Sequence, residues 1–409
     1  MSYTVPAVSG ASGSTQEVMF YRRDGAQINL PVLSDSVYTT QGGVDYHTNK
    51  WNVQGQVVSG GNVRVNASGD STISNITQVP DTTYGFRGNE LVVNQTSGTV
   101  KVNTAGGKSI STIELPVSAA DGSITLDLRN VTGLNNIKTS GSVPAVTNGA
   151  KIGSVVFPDS NFTLEKNSFR NCSSITSVDL SKCTSVGNAA FTFCTSLVSV
   201  GDMSGCLSVA SYAFERCTSL KSVNLSNCTS IGKFTCNYCS NLESVGNLSN
   251  CTSIGQYAFR GCSKLTSVNL SSCITIEESA FKTTGLTGTI NLPACTTIEA
   301  HAFEDCTNIT SVNLSSCETI GNYAFNGCTS LTSVTFSSNI TTIGDGAFND
   351  CDAATTFYFF SSPHNVTYGS AGTSASTFKT GAKAIWDDGT QQYIYTWNRN
   401  ANGGSGGWE

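Results

Sequence analysis

Charge is scarce in this chain of 409 residues, where Asp, Glu, Lys and Arg together make up 12%. That share is about half the usual one, and Ser, Thr, Asn and Gly supply the polarity instead. The formal net charge is −6, and no run of Lys or Arg occurs. Binding to nucleic acid or to an anionic membrane surface needs clustered basic side chains, so we expect neither as a partner.

Long hydrophobic runs are also missing. No stretch of about 18 apolar residues occurs, which is the length that a membrane-spanning helix needs, so we expect no membrane insertion. The first residues, MSYTVPAVSGASGSTQEV, lack the basic start and apolar centre of a secretion signal. We therefore expect no export leader, and the Gly-rich ending NANGGSGGWE predicts no hydrophobic anchor.

Catalytic motifs are absent as well. The three histidines lie outside any metalloprotease or nucleophile motif. No Gly-rich phosphate loop follows a strand and opens a helix, and the adjacent Asp387 and Asp388 are typical of a turn. We predict a protein that is not an enzyme, with no cofactor and no metal site.

What the sequence does contain is a repeat of 22 or 23 residues, aligned on one Phe in each unit. The aligned positions are Phe169, Phe191, Phe214, Phe259, Phe281, Phe303, Phe325 and Phe348, with Cys236 in the Phe place of one further unit. Each unit also contains a Leu-x-x-Val-x-Leu-x-x-Cys segment, as in Leu220 to Cys228. This is the pattern of leucine-rich repeats.

The repeat predicts a solenoid. The Val-x-Leu alternation indicates a short strand whose alternate side chains point inward, and the Ile and Phe of each unit fill the interior. One unit cannot bury its apolar side alone, so about nine units stack at about 4.8 Å and form a parallel sheet. The predicted fold class is mainly β: a leucine-rich-repeat solenoid with a parallel sheet, preceded by an antiparallel β module.

The repeat resembles the BspA-like leucine-rich repeats, whose signature is close to I-G-x-x-A-F-x-x-C-x-x-L-x-x-V-x-L. The segments IGQYAFRGCSKLTSVNL (254–270) and IGNYAFNGCTSLTSVTF (320–336) match it closely, and the resemblance covers about 152 to 351. It departs at Cys236, and at 281–292, where Thr284 replaces the usual Cys. The resemblance implies a binding protein, since such repeats occur in surface adhesins of anaerobic bacteria and protists and in some phage proteins.

Four regions follow from these patterns. Short alternating runs separated by Gly, Asn and Asp predict a β-rich anchoring or assembly module over 1–110. Residues 111–151 are expected to form an irregular lead-in or N-terminal cap, because an open sheet edge invites pairing with other chains. The repeat solenoid occupies 152–351, and the aromatic-rich residues 352–409 are predicted to be its C-terminal cap.

The sixteen cysteines all lie between Cys172 and Cys351. Two cysteines of one unit are about eleven residues apart, too far to bond along an extended segment. Stacked cysteines of neighbouring units have parallel Cβ directions, which fit a disulfide badly. We interpret them as small apolar residues with a weak S–H donor, and a disulfide framework is the alternative if the protein is secreted.

Two columns of side chains are candidates for ligand binding. The first lies on the outer face of the strand segments and consists of Asn224, Asn269, Asn291 and Asn313. The second lies two residues before each aligned Phe and includes Tyr212, Phe234, Tyr257, His301 and Tyr323. The alternatives are a polar coat that keeps the sheet soluble for the first column, and closure of the core edge for the second.

The sequence thus predicts a non-enzymatic display protein, most simply a bacteriophage virion component such as a fibre, decoration or host-attachment protein. Its partners would be a host cell-surface glycan or protein, and other virion proteins through residues 1–110, with a homo-oligomer expected by class. Its location would be the virion surface. The alternative is a secreted or cell-surface BspA-like adhesin of an anaerobic bacterium or protist, located outside the cell.

Overall fold

A computed structural model describes residues 3–5, 16–18, 20–21, 27–28, 64–65, 84–87, 90–93, 95–103, 112–131, 146–351, 355–369, 377–387, 391–398 and 407–409. These residues form strands, turns and two 3₁₀ turns, Gly149–Lys151 and Pro363–Asn365, and they contain no α-helix. The chain divides into two compact units, Met1–Lys182 and Cys183–Glu409, and each is described by itself.

The described residues of the first unit hold thirteen strands. They are β1 (Tyr3–Val5), β2 (Gln16–Val18), β3 (Phe20–Tyr21), β4 (Gln27–Ile28), β5 (Arg64–Val65), β6 (Tyr84–Arg87), β7 (Glu90–Val93), β8 (Gly98–Asn103), β9 (Thr112–Glu114), β10 (Ile124–Asn130), β11 (Val146–Thr147), β12 (Ile152–Val156) and β13 (Phe162–Leu164).

Pairing in the first unit changes from antiparallel to parallel along the chain. The antiparallel pairs are β1 with β2, β3 with β4, β3 with β5, and β6 with β7. Strand β7 then pairs in parallel with β9, and β10 pairs in parallel with both β8 and β12. The described residues leave out most of 1–83 and, in the predicted lead-in, 132–145. The predicted region boundaries at 110 and 151 therefore stay predictions.

Strand β10 forms the centre of the three-stranded parallel sheet β8–β10–β12. Its Ile124, Leu126 and Leu128 are fully buried, as the alternation of apolar residues in SITLDLRN requires. Asp127 is also buried, and the Arg129 side chain forms a two-point ion pair with its carboxylate, at 2.7 and 3.0 Å. This hydrogen-bonded partner lowers the pKa of Asp127 and compensates the loss of water around the charge.

The described residues of the second unit hold sixteen strands. They are β14 (Cys183–Val186), β15 (Ser208–Val209), β16 (Ser230–Ile231), β17 (Ser253–Ile254), β18 (Thr275–Ile276), β19 (Gly288–Asn291), β20 (Thr297–Ile298), β21 (Ile309–Leu314), β22 (Thr319–Ile320), β23 (Ser333–Phe336), β24 (Thr342–Ile343), β25 (Thr356–Phe359), β26 (Thr367–Tyr368), β27 (Lys383–Asp387), β28 (Gln392–Asn398) and β29 (Gly407–Trp408).

The second unit is a solenoid with two parallel ladders. One seven-stranded sheet, β16-β17-β18-β20-β22-β24-β26, is built from the Ser/Thr-Ile pair that opens each repeat. The other, β19-β21-β23-β25-β27-β28-β29, contains the predicted Val-x-Leu strands, and two antiparallel strands, β28 and β29, complete it. The predicted fold class is confirmed. In the coils before β19, the Val-x-Leu segments pair only through isolated β-bridges, such as Ser199 with Ser222. The strands of these coils are the short Ser/Thr-Ile pairs.

The aligned phenylalanines form the centre of the core. They are fully buried, and rings from successive coils stack with centroids 5.1–5.7 Å apart, as in Phe281 on Phe303 and Phe303 on Phe325. Cys236, also fully buried, interrupts the stack between Phe214 and Phe259. Within the second unit the in-register repeat therefore produces a buried apolar column, with stacked rings on either side of Cys236.

All sixteen cysteines are buried, as the packing interpretation predicts. Fifteen of them belong to two rows, and Cys236 stands in the Phe place instead. In one row, thiols such as Cys206, Cys251 and Cys295 donate to the carbonyl two residues ahead at 3.2–3.3 Å. In the other row, thiols such as Cys217, Cys239 and Cys328 donate to a carbonyl of the preceding coil at 3.0–3.3 Å. The cysteines thus fill narrow inward positions and also satisfy turn carbonyls.

Candidate functional site

The asparagines of the strand face belong to the turns that end the strand segments. Asn224 Oδ1 accepts hydrogen bonds from the backbone N–H and the hydroxyl of Ser226, at 3.1 and 2.7 Å. Asn269 Oδ1 accepts from the Ser271 N–H at 3.1 Å. Asp202 occupies the same place one coil earlier, and its hydrogen bonds from Ser204 lower its carboxyl pKa. This is the Asx turn, in which a short polar side chain holds its own backbone.

The other two predicted asparagines lie in the longer strands of the same face. Asn291 is exposed at the end of β19 and pairs with Asn313 of β21 in the parallel register. The neighbouring hydroxyls of Thr289 and Ser311 are 2.6 Å apart. The strand face is therefore a hydrogen-bonded polar surface, and Asn224 and Asn269 use their acceptors within the protein.

The structure brings three members of the second predicted column into direct contact. The Tyr212 ring stacks on Phe234 with centroids 4.8 Å apart, and Phe234 stacks on Tyr257 at 4.7 Å. All three side chains are half-buried, so one side of the stack faces solvent. The Tyr257 hydroxyl donates to Glu278 at 2.8 Å, and this hydrogen bond raises the pKa of Tyr257.

The rest of the column forms a separate pair. The His301 ring stacks on Tyr323 with centroids 5.2 Å apart, and Nδ1 of His301 lies 2.7 Å from Glu304 Oε2. Ser279, which is buried, occupies the column position between Tyr257 and His301. The predicted aromatic stripe is therefore divided into a stack of three rings and a stack of two.

Left-handed backbone explains why these columns exist. Two positions in each coil have φ near +60°, one two residues before the aligned Phe and one two residues after it. In this conformation the backbone N–H points to the next coil: Tyr212 donates to Lys233 at 2.9 Å, and Arg216 donates to Asn237 at 2.8 Å. These bonds hold equivalent residues of successive coils in register, so their side chains stack.

The second left-handed position carries residues that the sequence analysis missed. Three successive coils place Phe193, Arg216 and Tyr238 there. The Arg216 guanidinium carbon lies 5.5 Å from the centroid of the Phe193 ring and 5.2 Å from that of Tyr238. Arg260 of the next coil lies 5.3 Å from the Tyr238 ring and 5.4 Å from the Tyr257 ring. Tabulating the residue two places after each aligned Phe would have revealed the row.

These contacts join the two columns into one surface, which we name the aromatic–arginine face. It consists of Phe193, Tyr212, Arg216, Phe234, Tyr238, Tyr257 and Arg260. Phe193 and Tyr238 are each 36% exposed. A row of rings and guanidinium groups offers a ligand apolar contact area and N–H donors.

A side-chain cluster for catalysis or metal binding is not found in the described parts of the chain. No group of three or more His, Cys, Asp or Glu side chains there is close enough together to hold a metal ion. A cleft of about 320 Å³ near the C-terminal strands is lined by Phe348, Cys351 and residues 355–357 and 379–383. No helix within the described ranges has the length and apolarity that crossing a membrane requires.

Comparison with solved structures finds leucine-rich-repeat proteins of bacteria. A leucine-rich cell surface protein from Faecalibacterium prausnitzii is 19% identical, with 75% of this chain and 96% of that chain covered and a TM-score of 0.36. A leucine-rich repeat protein from Bacteroides ovatus is 17% identical, with 76% and 99% covered and a TM-score of 0.41. A leucine-rich repeat protein from T. pallidum is 19% identical, with 66% and 86% covered and a TM-score of 0.25.

Among curated proteins no relative matches this chain. The model of the BspA type leucine-rich repeat region matches at 145–266 and 252–370, with six copies of the repeat. Together these ranges span 145–370, which is 226 of 409 residues and more than half of the chain. The resemblance seen in the repeat is thereby confirmed: this chain belongs to the BspA type leucine-rich repeat family.

Proposed function

We propose that this chain is a non-catalytic surface-display protein whose solenoid binds a glycan or protein on another cell. The observation that carries the proposal is the aromatic–arginine face, where seven large side chains from successive coils meet and remain open to solvent. Stacked coils provide the extended surfaces with which repeat proteins commonly bind partners. Exposed aromatic and arginine side chains are the residue types that contribute most to binding at such surfaces.

The cell surface is the location that the family favours. The F. prausnitzii protein of similar fold is described as a leucine-rich cell surface protein. An adhesin of this kind would stand outside the cell and contact host or neighbouring cells. The aromatic stack of Tyr212, Phe234 and Tyr257 would then supply apolar contact area, and Arg216 and Arg260 would supply polar contacts.

A virion component of a bacteriophage is the second candidate, and the cysteines favour it. Several of them, including Cys206, Cys217 and Cys239, are buried thiols that donate to backbone carbonyls. Structural disulfides are common in exported proteins, whereas unpaired thiols suit a chain that folds in a reducing cytoplasm, where phage particles assemble. On this proposal, residues 1–110 would anchor the chain to other virion proteins or to further copies of itself.

Cell binding tests the proposal directly. Full-length protein carrying a fluorescent label would be titrated onto panels of bacterial and host cells, and saturable binding is expected. A variant with Tyr212→Ala, Phe234→Ala and Tyr257→Ala should lose most of this binding. The control Phe360→Ala removes a ring that is 66% exposed directly after β25 and should not reduce it. The absence of saturable binding to every cell type would contradict the proposed function.

Fractionation of the source culture separates the two locations. Each fraction would be analysed by peptide mass spectrometry after alkylation of free thiols. Recovery on cells or in the medium supports the adhesin, and recovery with purified virus particles supports the virion component. Light scattering of the full chain during size-exclusion chromatography would show whether it forms the homo-oligomer expected of a fibre.

A further inference from the structure

We infer that Arg216 and Arg260, with the rings of Phe193, Tyr238 and Tyr257, form a subsite for an acidic sugar. The sugar ring would lie against the aromatic side chains, and its carboxylate or sulfate group would accept hydrogen bonds from the guanidinium groups. This inference rests on the proposed function and names the chemical class of ligand that the aromatic–arginine face takes.

The alternation of rings and cations defines the subsite. Arg216 lies between Phe193 and Tyr238, and Arg260 lies between Tyr238 and Tyr257, with all four guanidinium-to-centroid distances between 5.2 and 5.5 Å. Tyr238 is shared, so the five side chains form one continuous row. A cation–π contact stabilises the position of a guanidinium group and leaves its N–H donors available.

The positive charges of the subsite are not neutralised within the protein. Among the described residues neither Arg216 nor Arg260 has a carboxylate at salt-bridge distance. The neighbouring carboxylates have other partners: Glu215 accepts from Asn237 at 3.1 Å, and Glu278 accepts from Tyr257 at 2.8 Å. Two guanidinium groups that both contact Tyr238, and that form no ion pair, therefore favour binding of an anionic group.

The backbone shows that large residues are placed here at a cost. Phe193, Arg216 and Tyr238 have φ of +62°, +57° and +57°, a region that non-glycine residues seldom adopt. In the later coils the same position mostly holds small or short polar residues: Gly261, Thr283, Asp305, Gly327 and Asp350. The left-handed φ itself recurs in every coil, so what distinguishes these three coils is the large side chains that they place at this position.

Gly261 makes room for the subsite. A Cβ at this position would lie 2.7 Å from Cδ1 of Tyr238, so only glycine lets the tyrosine ring take its place. Tyr238 can then contact both guanidinium groups. Glycine at this position accommodates the side chain of the preceding coil, as Gly327 also does for Asp305.

An acidic sugar fits this surface better than a neutral sugar or an acidic peptide. The exposed edges of the rings provide apolar contact area for a sugar ring, whereas a neutral sugar would leave both cations without a partner. A carboxylate or a sulfate matches the planar donor geometry of arginine. An acidic peptide would use the charges but not the continuous aromatic row.

Binding to polyacrylamide conjugates of defined sugars tests the inference. The full chain, immobilised on a sensor, would be titrated with conjugates of sialyllactose, sulfated lactose and lactose, and with poly-glutamate. We expect at least one acidic conjugate to bind about tenfold more tightly than lactose, the effect of a hydrogen bond to a charged group. Preference for sialyllactose identifies a carboxylated sugar, and preference for sulfated lactose identifies a sulfated one.

The variant Arg216→Gln with Arg260→Gln should abolish this preference, while Arg216→Lys with Arg260→Lys should retain part of it because the charge remains. Lys233→Gln with Lys264→Gln is the matched control, since it removes the same charge from exposed positions of neighbouring coils and should leave the preference intact. Circular dichroism would verify that every variant is folded.

Several outcomes would overturn the inference: no acidic conjugate binds, lactose or poly-glutamate binds as tightly, or the glutamine variant keeps the preference. If that variant still binds cells saturably, the proposed function stands and only the acidic-sugar subsite is wrong. If the unaltered chain binds no cell at all, the proposed function fails first.

Discussion

The thiol of Cys217 donates a hydrogen bond of 3.1 Å to the carbonyl of Phe191, 26 residues earlier and one coil back. The same contact recurs along the solenoid, as in Cys306 with Phe281 at 3.1 Å and Cys328 with Phe303 at 3.3 Å. Each cysteine therefore connects two coils while filling a fully buried position. This row of cysteines is part of what holds the coils in register.

The substitution Cys217→Ala should lower the free energy of unfolding by about 1–2 kcal/mol, because it removes a buried sulfur atom and its weak hydrogen bond. The shift in the urea midpoint would measure this. Ser330→Ala, at an exposed position of another coil, should leave the midpoint unchanged. An unaltered midpoint for Cys217→Ala would show that the row contributes nothing to stability.

Stability should fall above pH 9. Burial raises the pKa of Cys228, Cys273, Cys295 and Cys317 from 9.0 to about 12. Between these values the unfolded thiols have lost protons that the folded thiols keep, so each thiol lowers the free energy of unfolding by up to about 1.4 kcal/mol per pH unit. Below pH 9 their contribution is fully present and constant.

Urea midpoints between pH 7 and pH 11, measured with a reductant present, would test this. A variant with Cys228→Ala and Cys273→Ala should show a shallower decline above pH 9, which separates the thiols from lysine and tyrosine titration. Equal slopes for the two proteins would contradict the prediction.

The substitution Phe303→Ala should cost about 3–5 kcal/mol, the usual effect of removing a buried phenylalanine. Phe303 is fully buried, and its ring is stacked at 5.3 Å on Phe281 and at 5.1 Å on Phe325. Since coils of a solenoid are stabilised by their neighbours, we also expect unfolding to separate into two transitions. Calorimetry would detect both effects, and a single transition at the original temperature would refute them.

The substitution Gly261→Ala should destabilise the protein more than Gly288→Ala. Both glycines have φ near +72°, so each alanine adds left-handed strain of about 1–2 kcal/mol. Only at Gly261 does the new Cβ also meet a neighbour, the Tyr238 ring, whereas nothing lies within 4 Å at Gly288. Thermal unfolding of the two variants measures the difference, and equal losses would mean that Tyr238 moves aside freely.

Much of the solenoid was predictable because one short pattern recurs. The spacing of Phe281, Phe303 and Phe325 indicates which side chains point inward, since every coil must bury the same positions. The second parallel ladder, built from pairs such as Ser253 and Ile254, was not predicted, because two residues are too few to show an alternation. Its strands exist because neighbouring coils supply their hydrogen-bond partners.

The candidate site was only partly predictable. Tyr212 and Tyr257 were recognised as members of one column, yet Asn224 and Asn269 proved to hold turns with their side-chain oxygens. An Asn-x-Ser turn and an exposed asparagine have the same letters in sequence. Which of the two is present depends on the backbone direction after the strand.

The sequence by itself determined the coil length, the inward residues and the burial of the cysteines, because these depend on a period that every repeat shares. The tertiary structure alone decided that Arg216 lies between Phe193 and Tyr238. These residues are 22 or 23 positions apart, and they meet because left-handed turns hold successive coils in register. Side-chain contact across coils is a property of the stack, and no single repeat contains it.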